Sequence, residues 1–508
     1  VHSISRRTFA SVLAAAGASN LGLPRQLFSQ GANDNRLDTF TIDLTGGPDY
    51  LDPALARSLR DWSIVHSLYD SIVHLSDSGK IVPLAAQSVT VIDDLTLEVT
   101  LRDGLQFHDG TPVHADAVKR GIEWVQQSDG PATGNFSVIS GVELVDDLTC
   151  RIVTGEPAAW LLSQLAVWLV LLPEGITNES LVSKPVGSGP YRFVSQQPGA
   201  ELVLERNPDY TWDSPKGLPL AERVTYRFVP EAVTRIADLA TNQADLIQTV
   251  PIDQREAVES AGGQVIETPV LGVTFLRIAT DVAPFDDPRV CQAVNYAIDV
   301  ETIAQTLVSP AAHRLASLFP DSRGIGFDPE LQPFAYDPDK AKALLAEAGV
   351  AEGTEISIQI VGGERDDMFE AITGQLEDAG FSVTPVATDL ATFNSQWQDT
   401  SAPPLRFVSW RPMFDPHTLL SLMFFSTGPL ARFDNPDVDA LILAAAADTD
   451  PDSRAATYRK LGKVMQEQPG AVYLWNLTST FGANSAAEAW SPRADDYVIA
   501  TSGTGEQE

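Results

Sequence analysis

The stretch "YDPDKAKALLAEAGVAEGTEISIQIVGG", residues 336–363, decides the fold class. Asp337 stands where a helix N-cap belongs, Pro338 suits a first turn, and Gly349 suits the position just past a helix end. The run between them reads as a helix. Ile356, Ile358 and Ile360 then alternate with polar residues, the period of a strand. "RDDMFEAITGQLEDAG" repeats the helix, closed by Gly380, and "FSVTPVAT" repeats the strand. Helix, strand, helix, strand in this order predicts an α/β layer with parallel pairing, because a parallel neighbour needs a crossover.

Working outward, residues 286–308 place Val290, Val294, Ala297 and Ile298 on one helical face. "SRAATYRKLGKVMQEQPGAVYLWNL" closes the pattern with a helix and a strand. Toward the N-terminus the character changes near residue 270. "DTFTIDL", "LTLEVTLR", "ELVDDLTCRIV" and "AELVLERN" read as short strands, and Trp62 to Val73 is helix-like with Ile64, Leu68 and Ile72 at spacing four. A chain of 508 residues exceeds one ordinary core and implies about three domains.

Asp and Glu number 68 against 34 Lys and Arg, a net charge of −34. Such a surface repels nucleic-acid phosphates and anionic lipid, so no nucleic-acid partner is expected. The two cysteines, Cys150 and Cys291, match no zinc or redox spacing and sit in apolar surroundings, which reads as buried free thiols. A long-range disulfide is the alternative.

Arg6-Arg7 follow Ser5 and precede a mildly apolar run from Phe9 to Leu23. This reads as a twin-arginine export signal, with a polar linker to about residue 36. The alternative is a basic N-terminus of a cytosolic protein. Residues 158–173 form the other apolar run, interrupted by Ser163-Gln164 and closed by Pro173. It is shorter than the roughly 18–20 residues of a membrane helix and reads as a buried helix and strand. No membrane span is expected in the mature protein.

Catalytic templates fail. The chain has no H-E-x-x-H, no P-loop and no G-x-S-x-G; Ser188 lies between Gly187 and Gly189, which suit a tight turn. No catalytic residue, cofactor or metal is assigned. "LRDGLQFHDGTPVHADAVKRGIEWV", residues 101–125, holds His108 and His114 among aspartates, yet their spacing across a Pro-containing turn fits no standard metal site. It reads as strand, turn and helix, with Val118, Ile122 and Val125 as the helix's apolar face.

This stretch also belongs to an ordered series. "LYDSIVHLSDSGKIVPLAAQS" precedes it; "PVGSGPYRF", "LERNPDY", "RVCQAVNYAID" and "YDPDKAKALLAEAG" follow. The series resembles the extracellular solute-binding proteins of family 5, the peptide- and nickel-type receptors of ABC importers, over nearly all of residues 37–484. The resemblance implies an α/β fold: a two-lobed periplasmic-binding-protein clamshell, type II-like, with an extra small α+β domain. It implies a first lobe from residues 37–74, 184–268 and the tail 485–508, an extra domain over 75–183, and a second lobe over 269–484. Residues 1–36 would be signal and linker.

In that family one cleft wall follows the strand ending here in "RFVSWRPMFDPHTLL". The resemblance makes Trp410 a flat apolar wall, Arg411 a fork for a carboxylate, and Phe414 a second aromatic face. Peptide-binding relatives often carry an aspartate three places after this Trp, where this chain has Met413. Asp415 is the next acid, two places on. Tyr50 and Asp52 of "GGPDYLDP" are candidates from the first lobe. For any of these positions core packing is the competing reading.

The expected function is a periplasmic substrate-binding component of an ABC transporter, not an enzyme. It would act as a monomer that hands a peptide or peptide-like solute to permease subunits at the inner membrane. An oligosaccharide, a sugar–amino acid conjugate or a metal chelate is the alternative cargo. A secreted hydrolase is the reading from a different class.

Overall fold

The computed structural model describes residues 37–76, 78–362, 366–411 and 414–503. The signal-like segment, Met413 and the last five residues lie outside the described residues.

The deciding stretch folds as its local chemistry requires. Asp337 accepts a hydrogen bond from the Lys340 backbone at 2.9 Å and opens the helix Pro338–Glu347. Gly349 follows at φ 74°, a conformation that only glycine adopts without strain. Strand Thr354–Val361, helix Asp366–Asp378 and strand Phe381–Thr388 complete the unit, and the two strands pair in parallel with Ile356 opposite Val383.

These strands form one edge of a ten-stranded mixed sheet. At the other edge, Tyr191–Gln197, Glu201–Arg206 and Ala221–Phe228 run antiparallel, and Leu37–Leu44 pairs in parallel with the last of them. Two long antiparallel strands, Gln264–Ile278 and Ala471–Ala483, join the halves. Their register shifts between Pro269 and Val273 and again between Val273 and Phe275. A bulge bends and twists a strand, and these irregularities fall where the two long strands pass from one half of the sheet to the other.

A separate four-stranded antiparallel sheet lies within residues 86–154 and is covered by the helix Ala115–Gln127. The helix buries Val118, Ile122 and Val125, the face its periodicity marked. This unit touches the second half directly. Trp160 stacks on His417 with ring centres 4.8 Å apart, and Gln164 donates to the Thr418 hydroxyl at 2.9 Å.

Two helices stop earlier than periodicity implied. The helix expected over Trp62–Val73 spans Leu59–Leu68. Gly189 donates its N–H to the Leu68 carbonyl at 2.9 Å, and Lys216 binds the carbonyls of His66 and Tyr69 at 2.8 and 2.7 Å. Tertiary donors take the carbonyls that a further turn would have used. Residues 286–308 likewise split into helix Pro288–Ala297, a break at Ile298, helix Val300–Ile303 and a π-turn.

The apolar run at 158–173 is a buried helix, Leu161–Trp168, followed by extended chain with no strand pairing. Among the described residues no helix is long and apolar enough to cross a membrane. Cys150 and Cys291 are free and buried, and burial pushes both thiols up to about 12, so they are inert core residues. His108 is held by the Gly187–Gly189 turn: its Nδ1 accepts from the Gly187 N–H and its Nε2–H donates to the Gly189 carbonyl, each at 3.1 Å. The ring is a strut between the small unit and the turn. His114 occupies an N-cap position without a side-chain cap bond.

Candidate functional site

The strand Leu405–Trp410 lies antiparallel to Gln264–Ile278 and ends with Trp410 opposite Val273, at the bulge. The backbones approach closely there. A Cβ on Gly272 would sit 2.6 Å from Leu477 Cδ1 and 3.1 Å from the Trp410 carbonyl oxygen. Trp410 is half-buried and lines a cavity of about 290 Å3 together with Phe393, Trp397 and Val408.

Beyond Trp410 the chain turns toward the first half. Arg411 forms an ion pair with Asp496, whose other oxygen accepts from the Ser479 hydroxyl. Asp496 is 3% exposed on a backbone of φ 66°, an uncommon conformation for a non-glycine residue. Burial pushes its carboxyl up, while Arg411 and then Ser479 pull it down.

Phe414 packs against three of the apolar cores, and its ring lies 6.3 Å from that of Tyr497. Tyr497 stacks on His66 at 5.0 Å and meets Trp62 at 6.0 Å, and Trp62 meets Trp168 edge-on at 5.2 Å. An aromatic cluster therefore stands where the halves meet. Among the described residues two of its polar atoms, Trp62 Nε1 and Tyr497 Oη, are buried without a hydrogen-bond partner. Buried polar atoms are ordinarily satisfied, which sets these two apart from their neighbours.

The surrounding charges are tightly held. Arg493 binds Asp495 at 2.6 Å and reaches His74 Nε2 at 2.9 Å. Burial, then Arg493 and Lys216, hold His74 well below its usual range; burial and Lys216 do the same for His66. Both imidazoles are neutral. Lys216 and Asp70, both fully buried, pair at 2.8 Å.

Of the residues singled out from the sequence, Trp410, Arg411 and Phe414 come together at this junction. Asp415 is engaged by protein partners within the second half. Its carboxylate receives Arg454 through both terminal nitrogens and the His417 N–H, and is 8% exposed. Tyr50 and Asp52 have no hydrogen bond, ion pair or ring contact to residues 410–415 among the described residues. Arg57 lies over the Tyr50 ring at 4.8 Å, and Asp52 accepts from Trp124 Nε1 at 2.9 Å. Trp62, Trp168, Asp496 and Tyr497 were not singled out. Their signal in the sequence was weak: "SPRADDYV" carries two adjacent acids and a tyrosine, but nothing local ties it to Trp410.

Comparison with known proteins agrees with this architecture. The model of the family described as bacterial extracellular solute-binding proteins, family 5 middle, matches residues 80–430. The chain is 27% identical over 430 residues to the glutathione-binding protein of Pectobacterium atrosepticum, covering 80% of this chain and 83% of that one. It is 25% identical over 480 residues to a probable D,D-dipeptide-binding periplasmic protein of Escherichia coli K12, covering 89% and 91%. Among solved structures, the ABC transporter substrate-binding protein CtaP of Listeria monocytogenes superposes with a TM-score of 0.82 at 22% identity, covering 92% of this chain and 98% of that chain.

Proposed function

The chain belongs to the bacterial extracellular solute-binding proteins of family 5, and on that premise we propose that it is the receptor of an ABC importer for a peptide or peptide-like solute. The observation that carries the cargo class is the Arg411–Asp496 pair beside an aromatic cluster with two unpartnered polar atoms. A zwitterionic solute matches such a pair. Its carboxylate competes for the Arg411 fork, and its ammonium competes for Asp496. Asp496 thereby serves the role that an acid at position 413 would have in peptide-binding relatives. Trp62 Nε1–H and the Tyr497 hydroxyl then engage the cargo's amide groups.

The lobes of this receptor are drawn as 37–74 with 184–268 and the tail, and 269–484, with 75–183 as the extra domain. One apolar core lies wholly within 269–484, in keeping with that division, whereas the core of the first lobe also takes in Val167, Val170, Leu172 and Leu181. The strand pair Gln264–Ile278 and Ala471–Ala483 is the hinge, and the contacts of Trp160 and Gln164 with His417 and Thr418 close the mouth. Arg6-Arg7 direct export to the periplasm, and the receptor works as a monomer without catalysis.

Mass spectrometry of whatever co-purifies, followed by titration calorimetry with di- and tripeptides, glutathione and their amidated or acetylated forms, tests the reading. Binding that depends on both free termini supports it. Tight binding of a neutral oligosaccharide, or turnover of the bound solute, overturns it.

A further inference from the structure

The second half contains a pair of cations that neither the cleft nor the fold explains. Arg277 and Arg406 lie directly opposite each other on the adjacent strands Gln264–Ile278 and Leu405–Trp410. Residues opposed in this way share a face of the sheet with neighbouring side chains. Both are 0% exposed. Like charges at such a position repel, and burial strips both of water.

Their hydrogen bonding is incomplete. Among the described residues all three guanidinium nitrogens of Arg277 lack a hydrogen-bond partner, as do Nε and Nη1 of Arg406. Arg406 Nη2 donates to the Phe393 carbonyl. The carboxylate acting on Arg277 is that of Asp281, and it is engaged by a third arginine, Arg432, whose Nε reaches its two oxygens at 3.0 and 3.1 Å. Among the described residues these three guanidinium groups are thus answered by one carboxylate, in a chain with twice as many acids as bases. Trp397 and Phe393 lie 4.0 and 4.2 Å from the Arg406 guanidinium. Ring faces attract the charge but accept none of the remaining in-plane N–H groups as a full hydrogen bond would.

Deprotonation is not a ready escape for arginine. Burial lowers Arg277 to about 9 and Arg406 to about 10, with neighbouring arginines adding to the fall, so both still carry charge at neutral pH. Next along the row, on the strand pairing with Leu405–Trp410, Gln359 is also 0% exposed, with its amide donating to Gln396 at 2.6 Å. Phe393 and Trp397 line the 290 Å3 cavity that also reaches Trp410. Neither arginine lines that cavity; Phe393 and Trp397, whose rings lie over the Arg406 guanidinium, stand between it and the pair.

We propose that Arg277 and Arg406 form a binding site for a compact anion, of halide or small-oxyanion size, inside the second half and separate from the cargo site. The anion accepts the unpaired N–H groups of both guanidinium groups and stabilises the folded state by mass action. It sits on the same strand as Trp410, so its occupancy also stiffens the far end of the cargo wall.

The full chain, freed of cargo, is melted at matched ionic strength in sodium gluconate, chloride, bromide and sulfate. Gluconate, the bulkiest of the four, is the reference anion. At least one compact anion should raise Tm by about 2 °C or more over gluconate. The variant Arg277→Met/Arg406→Met should lose that difference, since apolar residues of similar volume often replace buried charges without loss of fold. A bromide-soaked wild-type crystal should show an anomalous peak within hydrogen-bond reach of both guanidinium groups, and a sulfate soak distinguishes halide from oxyanion preference. Equal melting of the wild type in all four salts overturns the proposal. So does an equal shift in wild type and variant, which is a general salt effect. If the variant does not fold, the soaks decide: neither ion at the pair overturns the site. Cargo affinity measured in gluconate tests the cleft reading independently.

Discussion

Arg454 grips Asp415 through both terminal nitrogens, at 2.5 and 2.9 Å, with both side chains less than a tenth exposed. The pair fastens the turn after the Trp410 strand to the helix Pro451–Glu467. Tyr458, one turn further along that helix, adds a hydroxyl within 3.0 Å of Arg454. An acid that the sequence offers as a ligand contact is thus paired with the helix that packs behind the Trp410 strand.

Removing one partner of a buried pair leaves an uncompensated charge. Asp415→Asn is therefore expected to cost about 3–5 kcal/mol of stability, read by chemical denaturation. Cargo affinity, measured by calorimetry below the new melting point, should stay within about threefold. A tenfold loss of affinity with unchanged stability would return Asp415 to the ligand.

Trp410→Ala is expected to weaken cargo binding by about 1–3 kcal/mol, the range for an aromatic anchor. Tyr497→Phe removes a single hydroxyl and should cost about 0.5–1.5 kcal/mol against a cargo that bonds it. Arg411→Ala leaves the buried Asp496 without its cation, so it should lower stability, and it should weaken a cargo that bears a carboxylate more than the same cargo amidated. Calorimetry against a peptide and its C-terminal amide separates these outcomes; wild-type affinity in all three variants would move the ligand wall elsewhere.

His108 yields a pH prediction. Burial holds its imidazole down at about 4, against about 6.5 in an unfolded chain. Between those values the unfolded state binds the extra proton. Stability contributed by the neutral ring is full above pH 6.5 and is lost as pH falls toward 4. Wild type should therefore lose stability over that window more steeply than His108→Gln, in denaturation curves taken at half-unit steps. Cargo affinity of the variant at pH 7.5 should match wild type within about threefold, because the ring bridges two backbone groups rather than facing the aromatic cluster.

Replacing Arg6-Arg7 with Lys-Lys should leave precursor in the cytoplasm, as twin-arginine export reads the paired guanidinium groups. Cell fractionation checks this, and an unchanged periplasmic yield would count against the signal.

Local chemistry in the sequence determined the elements whose signals are short-range. The Asp337 cap, Pro338, Gly349 and the alternating isoleucines specify helix and strand within a few residues of themselves, and parallel pairing follows from their order. The ordered motifs extend this to the family. Tertiary structure alone decided what depends on residues far apart in the chain. The helix Leu59–Leu68 ends where Lys216 and Gly189 take its carbonyls, and no period in residues 59–73 encodes that. Asp415 faces inward because Arg454 waits there, 39 positions later. Asp496 and Tyr497 reach Arg411 and Phe414 only after two long strands have carried the chain across both halves. Capping and periodicity act over one helical turn or strand, whereas ion pairs and aromatic contacts act through space, which is why the elements could be read along the chain and the composition of the site could not.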